Sequence, residues 1–104
     1  MAKAQDLAVL VYQNFSNSKD FGFKDQICRA AVSISNNIAE GFDRGYDKDF
    51  IRMLRIAKGS CSEVKSMLYL ANRLDLLSES ANPPLITDCE DISKLIQGLI
   101  NAIK

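Results

Sequence analysis

The chain contains no histidine and no tryptophan, only two prolines and five glycines, and its 13 basic and 13 acidic residues cancel to zero net charge. Each shortage excludes something. Without histidine the chain lacks the usual general base at neutral pH and the commonest transition-metal ligand. So little proline and glycine leaves no collagen-like or low-complexity segment. A neutral balance is not the signature of a strongly basic nucleic-acid clamp. Three cysteines, Cys28, Cys61 and Cys89, are odd in number and widely spaced, so no disulfide framework is expected. There is no C-x-x-C and no histidine to complete a zinc site. The cysteines read as small buried hydrophobes in a reducing compartment. The longest apolar run, Leu7–Tyr12, is six residues, far below the ~20 that span a bilayer. No long apolar stretch follows the N-terminal lysine, so no secretory signal is expected. These absences predict a cytoplasmic protein with no membrane partner, no metal and no cofactor.

What remains is a globular composition, 47% hydrophobic and 25% charged. The length of 104 residues fits one domain, 1–104.

Four segments show helical periodicity and none shows a strand-like alternation. The first, Ala2 to about Phe15, places Ala4, Leu7, Val11 and Phe15 on one stripe. Ser16-Asn17-Ser18 then favours a turn. The second runs from about Gly22 to Phe42, with Ile27, Ala31, Ile34 and Ile38 as its apolar face. Small residues Ala30, Ser33, Ser35 and Ala39 flank that face, and Gly41 is a candidate terminator. Gln26, Arg29, Ser33, Asn37 and Glu40 form a second, polar stripe. The third segment, about Asp47 to Leu74, carries a heptad seam of Phe50, Leu54, Ala57, Cys61, Val64, Leu68 and Ala71. Asp47 or Asp49 is positioned to cap it. The fourth follows Pro83-Pro84, from about Leu85 to Ile103, with a seam of Leu85, Cys89, Ile92, Ile96, Leu99 and Ile103. Four amphipathic helices with short connections predict an all-α fold, an antiparallel up-down four-helix bundle.

Two features exceed what a lone bundle needs. Ile51, Ile56, Tyr69 and Leu70 lie off the seam of the third helix, and Leu95 and Ile100 off that of the fourth. This surplus predicts a second contact surface for copies of the same chain. Charge is also segregated. Arg44, Lys48, Arg52, Arg55 and Lys58 recur at helical spacing, whereas positions 75–93 hold Asp75, Glu79, Asp88, Glu90 and Asp91 with no basic residue. The basic stripe reads either as a phosphate contact on RNA or DNA or as a solvated face, paired with the acidic loop of a neighbouring subunit. No aromatic platform interleaves it, which weighs against the nucleic-acid reading.

Catalytic constellations are not found. Ser33, Ser35, Ser60 and Ser62 have no histidine partner. Glu40 and Glu63 are the only glutamates within the second and third helices, too few for a carboxylate-bridged di-iron site. No phosphate-cradling glycine motif occurs. No enzymatic activity and no small-molecule substrate are expected.

The stretch QICRAAVSISNNIAEGF followed by KDFIRMLRIAKGSCSE resembles the four-helix-bundle family encoded in intervening sequences of bacterial large-subunit ribosomal RNA genes, also labelled an S23 ribosomal protein family. Arg29, Ala30, Ala31, Ser33, Ile34, Asn37, Ile38, Ala39, Glu40 and Gly41 carry the resemblance, with Phe50, Leu54, Ala57, Gly59, Ser60 and Glu63. Ser35 stands where the family usually has proline, so the kink such a proline introduces is not expected here. The resemblance implies an antiparallel bundle that assembles as a homopentamer, with no enzymatic activity attached. A similar pentameric bundle serves beside the reverse transcriptase of diversity-generating retroelements, where it binds RNA and polymerase. Among the matching residues Arg29, Asn37, Glu40 and Glu63 are polar on otherwise apolar helices. If partly buried they need partners, and Arg29 with Glu40 or Glu63 forms the expected network. The leading expectation is a self-assembling interaction or scaffold module. The alternative is a nucleic-acid-binding accessory protein acting through the basic stripe.

Overall fold

The structure, a computed structural model, describes residues 1–104. It contains α1 (Ala2–Phe15), α2 (Phe21–Asp43), α3 (Asp47–Arg73) and α4 (Asn82–Ile103), and no strand. α1 packs on α2, α2 on α3, α3 on α4, and α4 returns to α1, while the diagonal pairs make no close backbone approach. Short connections between sequential neighbours reverse the chain each time, which makes the bundle antiparallel and up-down. Its extents are 42 × 21 × 19 Å. The long axis is set by α3, whose 27 residues span about 40 Å at 1.5 Å per residue. No helix is long and apolar enough to cross a membrane.

The predicted stripes face one core. Ala4, Leu7, Val11 and Phe15 of α1 are buried, as are Ile27, Ala31, Ile34 and Ile38 of α2. Leu54, Ala57, Cys61, Val64, Leu68 and Ala71 follow on α3, with Met53 and Met67 beside them. All three cysteines are free and buried. The seam of α4 departs from the expectation in its last turn. Ile100 is 1% exposed and Leu99 is 37% exposed, the reverse of the predicted order. A helix of 3.6 residues per turn drifts off a strict heptad stripe over several turns, and here the next apolar side chain takes the inward position.

Helix ends account for the other departures. Asp20 caps α2, its Oδ1 accepting from the Phe23 N–H at 3.1 Å. Neither Asp47 nor Asp49 caps α3. Tyr46 occupies the N-cap in extended conformation, and both aspartates lie in the first turn, where the helix dipole favours them. α4 begins at Asn82 and not at Leu85, with the prolines inside its first turn. First-turn N–H groups have no intrahelical acceptor, so proline forfeits nothing there. Gly41 does not end α2. It lies inside the helix, where a Cβ would sit 2.7 Å from Met53 Cβ, so its bare backbone lets α2 approach α3. Gly45, at φ 77°, makes the following turn. α3 closes with a Schellman pattern in which the Leu76 N–H donates to Ala71 O at 2.9 Å and the Asp75 N–H to Asn72 O at 3.3 Å. The left-handed position is Asp75, at φ 56°, and not glycine.

Candidate functional site

α3 carries the residues singled out for contact, and the bundle divides them. Arg44, just beyond α2, reaches back to Glu40 Oε1 at 2.7 Å. Lys58 is half-buried and donates to Gln97 Oε1 on α4 at 2.7 Å. Lys48, Arg52 and Arg55 form no ion pair and line a surface groove of about 540 Å³ with Asp49, Ile51 and Ile56. The predicted stripe of five is therefore a cluster of three free cations with two neighbours already engaged.

The expected network of Arg29 with Glu40 or Glu63 does not form. Arg29 is exposed and pairs with Asp25 one turn away at 3.0 Å, while Glu63 accepts from Gln26 Nε2 at 3.4 Å. Both glutamates are exposed. Arg29 and Glu40 are each taken by an oppositely charged i±4 neighbour, and Glu63 by an amide across the α2–α3 contact, so the three never meet.

A smaller polar seam forms between α2 and α3 instead. Asn37 Nδ2 donates to Ser33 O at 2.7 Å and to Ser33 Oγ at 2.8 Å. Ser33 Oγ lies 3.0 Å from Ser60 Oγ, and Ser60 Oγ donates to Ile56 O at 3.3 Å. One proton order satisfies all of these, with Ser33 accepting from Asn37 and donating to Ser60. Ser33 and Asn37 belong to the polar stripe read on the second helix, whereas Ser60 on α3 was not singled out as their partner. Asn82 was missed altogether. It is 4% exposed, and its Nδ2 donates to Leu68 O at 2.7 Å, tying the start of α4 to α3. An asparagine before two prolines signals a turn, and nothing in the sequence marks it as buried.

The four apolar residues proposed for a contact surface also separate. Ile51 is half-buried and packs against the bundle's own core. Ile56, Tyr69 and Leu70 are exposed. Ile56 lies beside the free cations, and Leu70 lies four helical turns further on, about 21 Å along the axis. Leu74 follows it, also exposed. A surface cavity of about 780 Å³ opens along the α1–α4 seam between Met1, Leu95, Gly98 and Leu99, with the Lys3–Asp91 pair at 3.4 Å on its rim.

Little here supports group chemistry. Burial pushes the Cys61 thiol up to about 11 and Cys89 to about 12, which leaves both protonated and poor nucleophiles at neutral pH. No group of three or more histidine, cysteine, aspartate or glutamate side chains could hold a metal ion.

Four antiparallel helices around an apolar core, with charged and apolar side chains exposed on the outside, define a helical-bundle protein. The chain belongs to the 23S rRNA-intervening sequence protein family, whose profile matches residues 1–98. A crystal structure at 1.70 Å of a protein with unknown function from the S23 ribosomal protein family of Bacteroides thetaiotaomicron VPI-5482 is similar throughout. It shares 27% identity over 95% of each chain, with a TM-score of 0.89. A comparison with curated proteins found no match.

Proposed function

We propose that this chain is a non-enzymatic bundle that assembles with copies of itself in the cytoplasm, as a ring of five, and serves as an interaction or scaffold module. The observation that carries the reading is the apolar surface left over once the core is complete. Twelve large hydrophobic side chains are exposed, among them Ile56, Tyr69, Leu70 and Leu74 on or just beyond α3, Leu10 on α1, and Leu95 and Leu99 on α4. Single exposed hydrophobes are normal, but clusters on several flanks of so small a bundle fit contacts with other chains. The copy number rests on the family resemblance. Three unpaired buried thiols fit a reducing compartment. Sedimentation velocity on the wild type and on Tyr69→Ala/Leu70→Asp tests the assembly. The wild type sediments as a multiple of the 11.6 kDa protomer, and the variant shifts towards it. A wild type that sediments as a protomer contradicts the reading.

One observation favours a second reading. Lys48, Arg52 and Arg55 remain without counter-ions, an arrangement that also suits phosphate oxygens. RNA that co-purifies with the protein and is stripped by salt would put nucleic-acid binding first.

A further inference from the structure

The charge segregation of the sequence survives folding in reduced form. Of the five acids at positions 75–93, Glu90 is held by Lys65 at 3.1 Å and Asp91 by Lys3 at 3.4 Å, while Asp88, half-buried on α4, forms no ion pair and lies outside the α3–α4 loop. Asp75 and Glu79, in the exposed α3–α4 loop, have no cationic partner. At the other end of α3 the free cations are Lys48, Arg52 and Arg55. The two groups lie at opposite ends of a helix about 35 Å apart at 1.5 Å per residue, beyond the reach of any intramolecular pairing. Each has an exposed apolar side chain beside it, Ile56 in the groove of the cations and Leu74 next to Asp75 in the chain. Both patches thus combine an apolar anchor with charge, and their charges are opposite.

Asp75 supplies a second, independent indication. It occupies the left-handed position of the Schellman turn, at φ 56°, where glycine is the unstrained choice. Its carboxylate also lies at the C-terminal end of α3, where the helix dipole disfavours negative charge. Aspartate enters the left-handed region more readily than most side chains, and here its exposed carboxylate is left without a partner in its own chain.

We infer that the Asp75/Glu79 loop of one copy docks on the Lys48/Arg52/Arg55 groove of the next, head to tail, with Leu74 meeting Ile56. This rests on the self-assembly reading and names its contact. A head-to-tail contact joins unlike surfaces, so each copy keeps one patch free for a further neighbour, and the chain of copies closes when the rotation allows. Asp49, in the same groove, leaves a net positive charge against the loop's two carboxylates.

The test is a pair of charge-changing variants, Arg52→Glu/Arg55→Glu and Asp75→Asn/Glu79→Lys, studied alone and mixed, with circular dichroism confirming that each folds. All the altered side chains are exposed. Each variant alone associates at least about tenfold more weakly than wild type, and an equimolar mixture regains part of the association, because unlike patches now meet wherever the two variants alternate. Raising salt from about 50 to 500 mM weakens the wild-type contact by a similar factor, since rim charges are screened within a few ångströms. Assembly that ignores both salt and Arg52→Glu/Arg55→Glu overturns this contact and leaves self-assembly standing. A wild type that is a protomer under all conditions overturns both. A salt-sensitive species of exactly two copies overturns the head-to-tail form, and RNA held by wild type but not by Arg52→Glu/Arg55→Glu gives the groove a different partner.

Discussion

Replacing Gly41 by alanine tests how α2 and α3 are held together. In an exposed helix interior this substitution stabilises by about 1 kcal/mol, because alanine has the higher helix propensity. At Gly41 the new methyl would lie 2.7 Å from Met53 Cβ, 3.2 Å from Phe50 Cδ1 and 3.3 Å from Met53 Cγ. Carbon atoms in good contact are about 3.5–4.0 Å apart, so α2 and α3 must separate by roughly 1 Å. Met53 Cβ is fixed to its backbone and cannot rotate away. Overpacking of this kind costs about 1–3 kcal/mol, and the rigidity of the obstacle puts Gly41→Ala at the upper end. After the propensity gain, the net loss is about 2 kcal/mol. For a domain of this size each kcal/mol moves Tm by about 4–8 °C, so thermal unfolding followed by circular dichroism should show a fall of roughly 8–16 °C. Gly59 and Gly98 are the internal controls. Both are helical and neither has an atom within 4 Å of a built Cβ. Gly59→Ala and Gly98→Ala should each raise Tm by a few degrees, at about 1 kcal/mol or less. A Gly41→Ala protein that melts at or above the wild-type temperature refutes the close-approach argument.

Asp75→Gly relieves a left-handed backbone and removes a carboxylate from the wrong end of a helix, so it should raise the urea midpoint by the equivalent of about 1 kcal/mol; an unchanged or lower midpoint speaks against strain at Asp75. Asn82→Ala removes the donor to Leu68 O and should lower stability by about 1–3 kcal/mol in the same assay, whereas a neutral result means water replaces that bond. Because burial raises the thiol values of Cys61 and Cys89 above the ordinary 9.0, the native state keeps protons that the unfolded chain releases. Their contribution to stability is complete below pH 9 and is lost as pH climbs from 9 towards 11 and beyond. Urea titrations between pH 8 and 11 should show that decline, and it should shrink in Cys61→Ala/Cys89→Ala. The same burial predicts slow alkylation of all three native thiols at pH 8 and rapid alkylation in denaturant; fast native labelling would contradict the buried placement.

The core was legible because it depends on spacing alone. The 3–4 recurrence of Leu7, Val11 and Phe15, or of Leu54, Ala57 and Cys61, marks an inward stripe whatever the neighbours are. Spacing failed where tertiary context decides. Leu99 and Ile100 are adjacent apolar residues, and the choice between them turns on a few degrees of accumulated twist. Gly41 looked like a terminator because glycine often ends helices, yet its position against Met53 is visible only once α3 is packed. The polar residues show the same limit. Arg29, Glu40 and Glu63 stood out as charges on apolar helices, but whether they meet across the bundle depends on how far each lies around its helix. The structure sends Arg29 to Asp25 and Glu40 to Arg44. Ser33, Asn37 and Ser60 sit closer to the α2–α3 contact, and they carry the polar seam. The segregation of charge was legible in the sequence. Which cations remain unpaired was not, because Lys58 meets Gln97 only through the α3–α4 packing.

The central claim, that copies of this bundle assemble through their exposed flanks, is most directly tested by light scattering coupled to size exclusion, at low and high salt, on protein cleared of RNA. The account predicts a defined species at low salt, five times the 11.6 kDa protomer, that loses mass as salt rises. A single peak at the protomer mass under every condition would contradict it and return Ile56, Tyr69, Leu70 and Leu74 to ordinary surface.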